Sequence, residues 1–252
     1  LEKEEGYDEK FSAACNIATA PVGQLIPPTN AFIVYSAASG GAAVATLFMA
    51  GWIPGLLWAF LCMIVAFIYG KKHGYVVKRE KMTAAVVGKT ILDSIPSLLL
   101  IVIIIGGILS GYFTPTEASG VAVIYAFILS VFVYKSIKLS EIKDILVNAA
   151  VTTTIVMLII GASSVLSFVL SFTGLPQAIS NLMLGVSDNK IVILLMINVI
   201  LLIVGTFMDM APALLIFTPI FLPVITAIGM DPIQFGVMMV MNLSIGTITP
   251  PV

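Results

Sequence analysis

Residues 11–70, 94–116, 118–134 and 145–187 contain no Asp, Glu, Lys or Arg. Roughly 20 apolar residues cross a bilayer as a helix, so each stretch has room for one to three crossings. The composition agrees: 60% of the 252 residues are hydrophobic and 10% charged, against about 45–50% and about 25% in an ordinary soluble domain. The expected fold is an all-α polytopic membrane protein.

The net charge of −1 and the lack of a basic stripe point to no nucleic-acid or other polyanionic partner. Cys15 and Cys62 lie in apolar surroundings with no second thiol or histidine at ligand spacing, which suits buried small hydrophobes better than a disulfide or zinc framework. His73, the only histidine, sits among lysines and reads as a solvated loop residue. The chain opens on Leu1 and closes on Val252 just after a Pro-Pro pair inside an apolar segment, as a fragment of a longer protein would.

A broken apolar region from Phe11 to about Leu47 is followed by a span from about Trp52 to Tyr69 and a basic segment with Lys71, Lys72, Lys78, Arg79 and Lys81. Short basic loops stay cytoplasmic. Two further spans, about Ile95 to Tyr112 and Ala118 to Tyr134, return to a second basic segment with Lys135, Lys138 and Lys143. Between them, Thr114-Pro115-Thr116-Glu117 supplies an N-cap, a Pro at N1 and a Glu at N3, a capping box. Ser140 to Asn148 is amphipathic and suits an arm along the membrane surface. Val151 to Phe172 then crosses outward. Three shorter apolar pieces follow, Ile191 to Met208, Ala213 to Ile228 and Ile233 to Ile248, the first two reading as a re-entrant hairpin with its tip at Gly205 to Pro212.

An internal repeat narrows the class further. Gly6-Tyr7-Asp8 precedes Pro27-Pro28 by the same offset at which Gly229-Met230-Asp231 precedes Pro250-Pro251. An odd number of crossings between the copies makes them point in opposite directions. Inverted repeats with broken helices are the mark of secondary transporters, whose substrate and ion sites lie at the interruptions.

A Pro after an apolar helix cannot donate a backbone hydrogen bond and leaves carbonyls unpaired. Gly246, Thr249 and Val252 could give oxygens to one cation, and Gly23, Ile26 and Pro28 to another; alternatively each Gly-x-x-x-Pro-Pro merely kinks a helix. Asp209, between two apolar segments, is either a functional acid in a wet or paired site or the cap of the second hairpin arm. Ser163, Ser164 and Ser167 share a helix face and either line a polar cavity or bond back to their own helix.

Gly6-Tyr7-Asp8 leading to Gly23-Gln24-Leu25-Ile26-Pro27-Pro28, Phe113-Thr114-Pro115-Thr116-Glu117-Ala118, and Gly229 through Phe235-Gly236 to Gly246-Thr247-Ile248-Thr249-Pro250-Pro251 resemble the large membrane subunit of tripartite ATP-independent periplasmic (TRAP) transporters. The resemblance implies an elevator-type, sodium-driven importer of organic acid anions, such as a C4-dicarboxylate or sugar acid, in the bacterial inner membrane. It implies two partners, a small membrane subunit and an extracytoplasmic solute-binding protein. It also implies sodium sites at Gly23, Ile26 and Pro28, completed by a serine-rich hairpin tip upstream of Leu1, and at Gly205, Gly246, Thr249 and Val252. Asp209, Ser163 and Ser164 are the candidate substrate-side residues. On this reading 1–252 is one partial permease domain, with the end of repeat 1 at 6–49, linking spans at 50–135, an arm helix at 136–148 and repeat 2 at 149–252.

Two other classes fit less well. A channel needs a continuous polar lining that these charge-free spans lack, and an intramembrane enzyme needs paired acids or a nucleophile with a base. A different inverted-repeat, ion-coupled anion carrier that needs no binding protein is the remaining alternative.

Overall fold

The computed structural model describes residues 8–74, 84–187 and 189–249, and among these every regular element is helical. The chain divides into two compact units, Leu1–Gly70 with Val156–Val252, and Lys71–Ile155.

The first unit contains α1 (Glu9–Leu25), α2 (Asn30–Ala38), most of α3 (Val44–Lys72), the later part of α6 (Ile142–Phe172), α7 (Leu175–Val186), α8 (Lys190–Gly205), α9 (Met210–Ala227) and α10 (Pro232–Thr247). The broken apolar region thus becomes two helices separated at Ile26-Pro27-Pro28-Thr29. Neither proline has an N–H to continue α1. Thr29 restarts the chain as N-cap of α2, its hydroxyl accepting from the Ala31 amide at 3.2 Å.

Helix α3 runs antiparallel to α1. The Phe11 and Tyr69 rings stack, the Trp58 indole donates to the Ala18 carbonyl at 2.9 Å, and Gly51 and Gly55 lie against Leu25, Ile26 and Phe32 at the break. A Cβ on Gly51 would collide with the Leu25 carbonyl, so this G-x-x-x-G face permits the close approach. The fully buried side chains include Leu25, Phe32, Tyr35, Phe48, Ile197, Leu201, Leu214, Phe235 and Leu243. Leu25, Phe235 and Leu243 belong to the two matched segments and the others to α2, α3, α8 and α9, so the core of this unit gathers both segments with helices that lie between them in the sequence. By contrast, large apolar residues such as Ile53, Phe67, Leu158 and Phe172 are exposed, as lipid-facing residues are.

The second unit contains α4 (Ala84–Leu109) and α5 (Pro115–Ile128), which continues as a π-helical turn over Leu129–Val133, and the short 3-10 turn Leu139–Glu141. The capping box forms as expected: the Glu117 amide donates to Thr114 Oγ1 at 3.3 Å and the Thr114 amide to Glu117 Oε2 at 2.8 Å. Tyr125 and Tyr134 donate to the Pro96 and Asp93 carbonyls at 2.8 and 2.9 Å, tying α5 to α4 where Pro96 interrupts its hydrogen bonding.

Among the described residues five helices are long and apolar enough to cross a membrane: Val44–Lys72, Val86–Leu109, Pro115–Val133, Leu139–Leu170 and Met210–Ala227. Four boundaries differ from expectation. The arm and the outward span are one 31-residue helix, α6, about 46 Å long, because nothing between Asn148 and Val151 breaks a helix. The hairpin turn is confined to residues 206–209: Pro212 sits in the first turn of α9, where a missing N–H costs nothing. The helices α3 and α4 also begin earlier than their apolar cores, since helical hydrogen bonding runs on past the hydrocarbon-length segment. Lys78, Arg79 and Lys81 lie outside the described residues.

Candidate functional site

Helices α8 and α10 pack along much of their length and end together. A Cβ built on Gly246 would stand 2.5 Å from the Gly205 Cα and 2.6 Å from its carbonyl carbon; one on Gly205 would stand 3.0 Å from the Gly246 Cα and 3.2 Å from the Leu243 carbonyl oxygen. The two backbones touch without intervening side chains.

Capping donors meet most of the last carbonyls, the Thr206, Phe207 and Met208 amides those of Leu202, Ile203 and Val204, and the Ile248 and Thr249 amides those of Ile245 and Gly246. Each such oxygen keeps a second lone pair, and each helix carries the negative end of its dipole there. Neither has a basic residue in its last turn. Two helix C-termini brought together without a Lys or Arg leave a concentration of oxygen lone pairs and partial negative charge that a hard cation complements.

Thr249 follows directly. Its hydroxyl donates its only hydrogen to the Ile245 carbonyl at 2.8 Å, which leaves the oxygen's lone pairs as acceptors. Gly205 and Gly246 meet at this contact, and the Thr249 amide donates to the Gly246 carbonyl at 3.0 Å; Val252 lies outside the described residues. Among the described residues no group of three or more His, Cys, Asp or Glu could hold a metal.

Gly23, Ile26 and Pro28 surround the first break. Gly23 and Pro28 are exposed, and nothing described lies within 4 Å of a Cβ on Gly23. The glycines that open the two Gly-x-x-x-Pro-Pro segments, Gly23 and Gly246, thus lie in different environments. Their helix starts do correspond: Asp8 caps α1, accepting from the Lys10 amide at 2.8 Å, and Asp231 caps α10, accepting from the Ile233 amide at 2.7 Å.

The polar candidates sit in different surroundings. Asp209 stands at the N-cap position of α9, but its exposed carboxylate makes no capping hydrogen bond. Ser164 bonds back to the Ile160 carbonyl at 2.8 Å, while Ser163 is buried at 6% exposure. Ser167 instead donates to the Leu215 carbonyl of α9 at 2.7 Å. Cys15 and Cys62, expected to be buried, are half-buried and line one groove between α1 and α3 of about 430 Å³, with the Cys62 thiol 3.7 Å from the Ala18 carbonyl.

Reading the sequence missed the Asn198–Asn242 amide pair, which joins α8 to α10. The available signal was that Asn198 is the sole polar residue of α8 after Lys190. It also missed Thr218, fully buried with its hydroxyl 3.5 Å from the Met239 sulfur.

A family model described as "Tripartite ATP-independent periplasmic transporter, DctM component" matches residues 1–252. The chain is 52% identical over its full length to "Uncharacterized protein YgiK" of Salmonella typhimurium, covering 58% of that protein. It is 38% identical over 97% of its length to "Sialic acid TRAP transporter large permease protein SiaM" of Vibrio cholerae, and 39% identical over 98% to "C4-dicarboxylate TRAP transporter large permease protein DctM" of Pseudomonas aeruginosa, covering 57% of each. The chain spans a little over half the length of these relatives. With its apolar spans, the match makes it a multi-pass protein of the bacterial inner membrane and a transporter component rather than an enzyme. The chain belongs to the DctM component family of tripartite ATP-independent periplasmic transporters.

Proposed function

We propose that the protein containing this chain is the large permease of a sodium-coupled importer of organic acid anions, working with a small membrane subunit and an extracytoplasmic solute-binding protein. The observation that carries the sodium reading is the joined C-termini of α8 and α10 at Gly205 and Gly246 with the Thr249 hydroxyl beside them. Their donor set is uncharged oxygen, which suits a hard monovalent ion. A carbonyl cluster without a counter-charge binds such an ion moderately, as a coupling ion that must be released requires.

Gly205, Gly246 and Thr249 would hold one ion, with Val252 as a fourth donor, and Gly23, Ile26 and Pro28 would contribute to a second. The matched helices fit an inverted repeat in which each break faces its own ion. Sodium orders the breaks, and ordering and anion binding are then reciprocally coupled. Asp209, Ser163 and Ser164 remain the candidate residues on the substrate side. The relatives' printed substrates, sialic acid, C4-dicarboxylate and 2,3-diketo-L-gulonate, are all organic acids, and we assign that class to this transporter.

The test is uptake into proteoliposomes holding the complete transporter, with its binding protein, as sodium is varied. Thr249→Ala should raise the sodium concentration for half-maximal uptake and leave anion capture by the binding protein untouched. An unchanged sodium dependence removes Thr249 from the site, and uptake that proceeds without sodium or without binding protein rejects the proposed coupling.

A further inference from the structure

We infer that Asn198 and Asn242 form a positioning pair that sets the register of α8 on α10 and thereby the shape of the cation site at Gly205 and Gly246; the inference rests on that site as proposed above. The Asn242 amide nitrogen donates to the Asn198 side-chain oxygen and also lies 3.3 Å from the Met238 carbonyl. The Asn198 amide nitrogen in turn donates to the Leu194 carbonyl at 2.7 Å and lies 3.6 Å from the Met238 sulfur. The amide–amide bond and the Met238 sulfur contact cross between α8 and α10, the bonds to the Leu194 and Met238 carbonyls stay within their own helices, and Asn242 is 8% exposed.

The pair and the glycine contact lie on one seam. Asn198, Leu201 and Gly205 fall at i, i+3 and i+7, and Asn242 and Gly246 at i and i+4, each set on a single helix face. Because Asn198 meets Asn242 and, further along, Gly205 meets Gly246, the two helices run in the same direction. Leu201 and Leu243, both fully buried, fill the seam between.

Glycines allow two backbones to touch, and leucines repack with little penalty for a small shift. A slip of one residue along α8 is a 1.5 Å translation and a 100° turn, which carries the Asn198 amide away from Asn242. The amide pair therefore adds a directional penalty to the steric one at Gly205 and Gly246, where such a turn would bring the Val204 or Thr206 side chain against the partner backbone. A buried Asn pair fixes register in coiled coils in the same way, at a cost in stability. The oxygens of Gly205, Gly246 and Thr249 keep their mutual spacing only while that register holds.

The decisive experiment uses the complete transporter with Asn198→Leu and Asn242→Leu combined, so that no amide is left stranded. Spin labels at the exposed positions Leu195 on α8 and Gln234 on α10 report the register, and uptake at varied sodium reports the site. The expected result is a shifted or broadened label distance together with a rise of about five-fold or more in the sodium needed for half-maximal uptake. The increase in melting temperature that sodium gives the unaltered protein should shrink in parallel. Should the double variant not fold, Asn198→Gln keeps an amide but lengthens it by one methylene, and the same shifts are expected.

An unchanged label distance overturns the register role. A shifted distance with unaltered sodium dependence overturns the link to the cation site. If the unaltered protein shows no sodium dependence while the labels move, the cation reading fails and the register role stands.

Discussion

The Ser167 hydroxyl donates to the Leu215 carbonyl at 2.7 Å, an oxygen whose own helical partner would be the amide of residue 219, which is a proline. A hydroxyl from α6 thus replaces the N–H that Pro219 cannot supply to α9. Tyr125 and Tyr134 donate to the Pro96 and Asp93 carbonyls and Trp58 to that of Ala18, close to the Leu92 and Ile17 oxygens that Pro96 and Pro21 leave open but not to those oxygens themselves. In lipid an opened helix needs a donor from a neighbour.

Ser167→Ala is therefore expected to lower stability by about 0.6–1.7 kcal/mol, the size of measured interhelical hydrogen bonds in membranes. In a Pro219→Ala background the new amide takes over the Leu215 oxygen, and the loss should shrink. Denaturation of the four proteins measures the coupling; equal losses in the two backgrounds would refute the repair.

The two matched glycines should respond differently to the same change. Gly246→Ala places a methyl 2.5 Å from the Gly205 Cα, a backbone atom that cannot rotate aside, and should cost about 1–3 kcal/mol. Gly23→Ala meets nothing within 4 Å and removes a flexible residue from α1, so it should be neutral or stabilising by up to about 1 kcal/mol. Melting temperatures of both variants in one detergent decide the matter.

The apolar spans, the Pro-Pro break, the capping box and the glycine pair were legible because each follows from one-dimensional spacing: charge-free length, a missing N–H, or a matched offset. The continuity of α6 was not, since an amphipathic segment and an apolar one join without a breaker, and hydropathy alone sees two pieces. The Asn198–Asn242 bond and the Ser167 repair were not legible either. Each needs two helices placed side by side, and a lone Asn or Ser in an apolar run does not name its partner. Asp209 was half legible: its N-cap position followed from the flanking apolar segments, but the missing side-chain bond depends on the angle of the turn.

Acid should loosen the start of α1. The bond from the Lys10 amide, helped by those from Phe11 and the Tyr69 hydroxyl and by the Lys10 charge, holds the Asp8 carboxyl below its ordinary range. A carboxylate with a folded pKa below its unfolded value of about 3.9 contributes stability that is fully present above that value. The contribution disappears as pH falls through the folded pKa. Amide exchange at Lys10 and Phe11, corrected for intrinsic rate, should lose protection as pH drops below about 4. In Asp8→Asn, which caps without titrating, protection should show no such pH dependence.

Asp209 and Asp231 test whether occupying an N-cap position is the same as capping. Both precede an apolar helix, but Asp231 accepts from the Ile233 amide at 2.7 Å whereas Asp209 makes no side-chain cap bond. Asp231→Ala should cost about 1 kcal/mol, the usual value of a lost cap. Asp209→Ala should alter stability by less than about 0.5 kcal/mol, as for a surface change away from any such bond. The same pair of variants measured for uptake separates folding from function. A loss of transport in Asp209→Ala at unchanged melting temperature marks the carboxylate as part of the transport path. A fall in melting temperature equal to that of Asp231→Ala would show that Asp209 caps α9 after all.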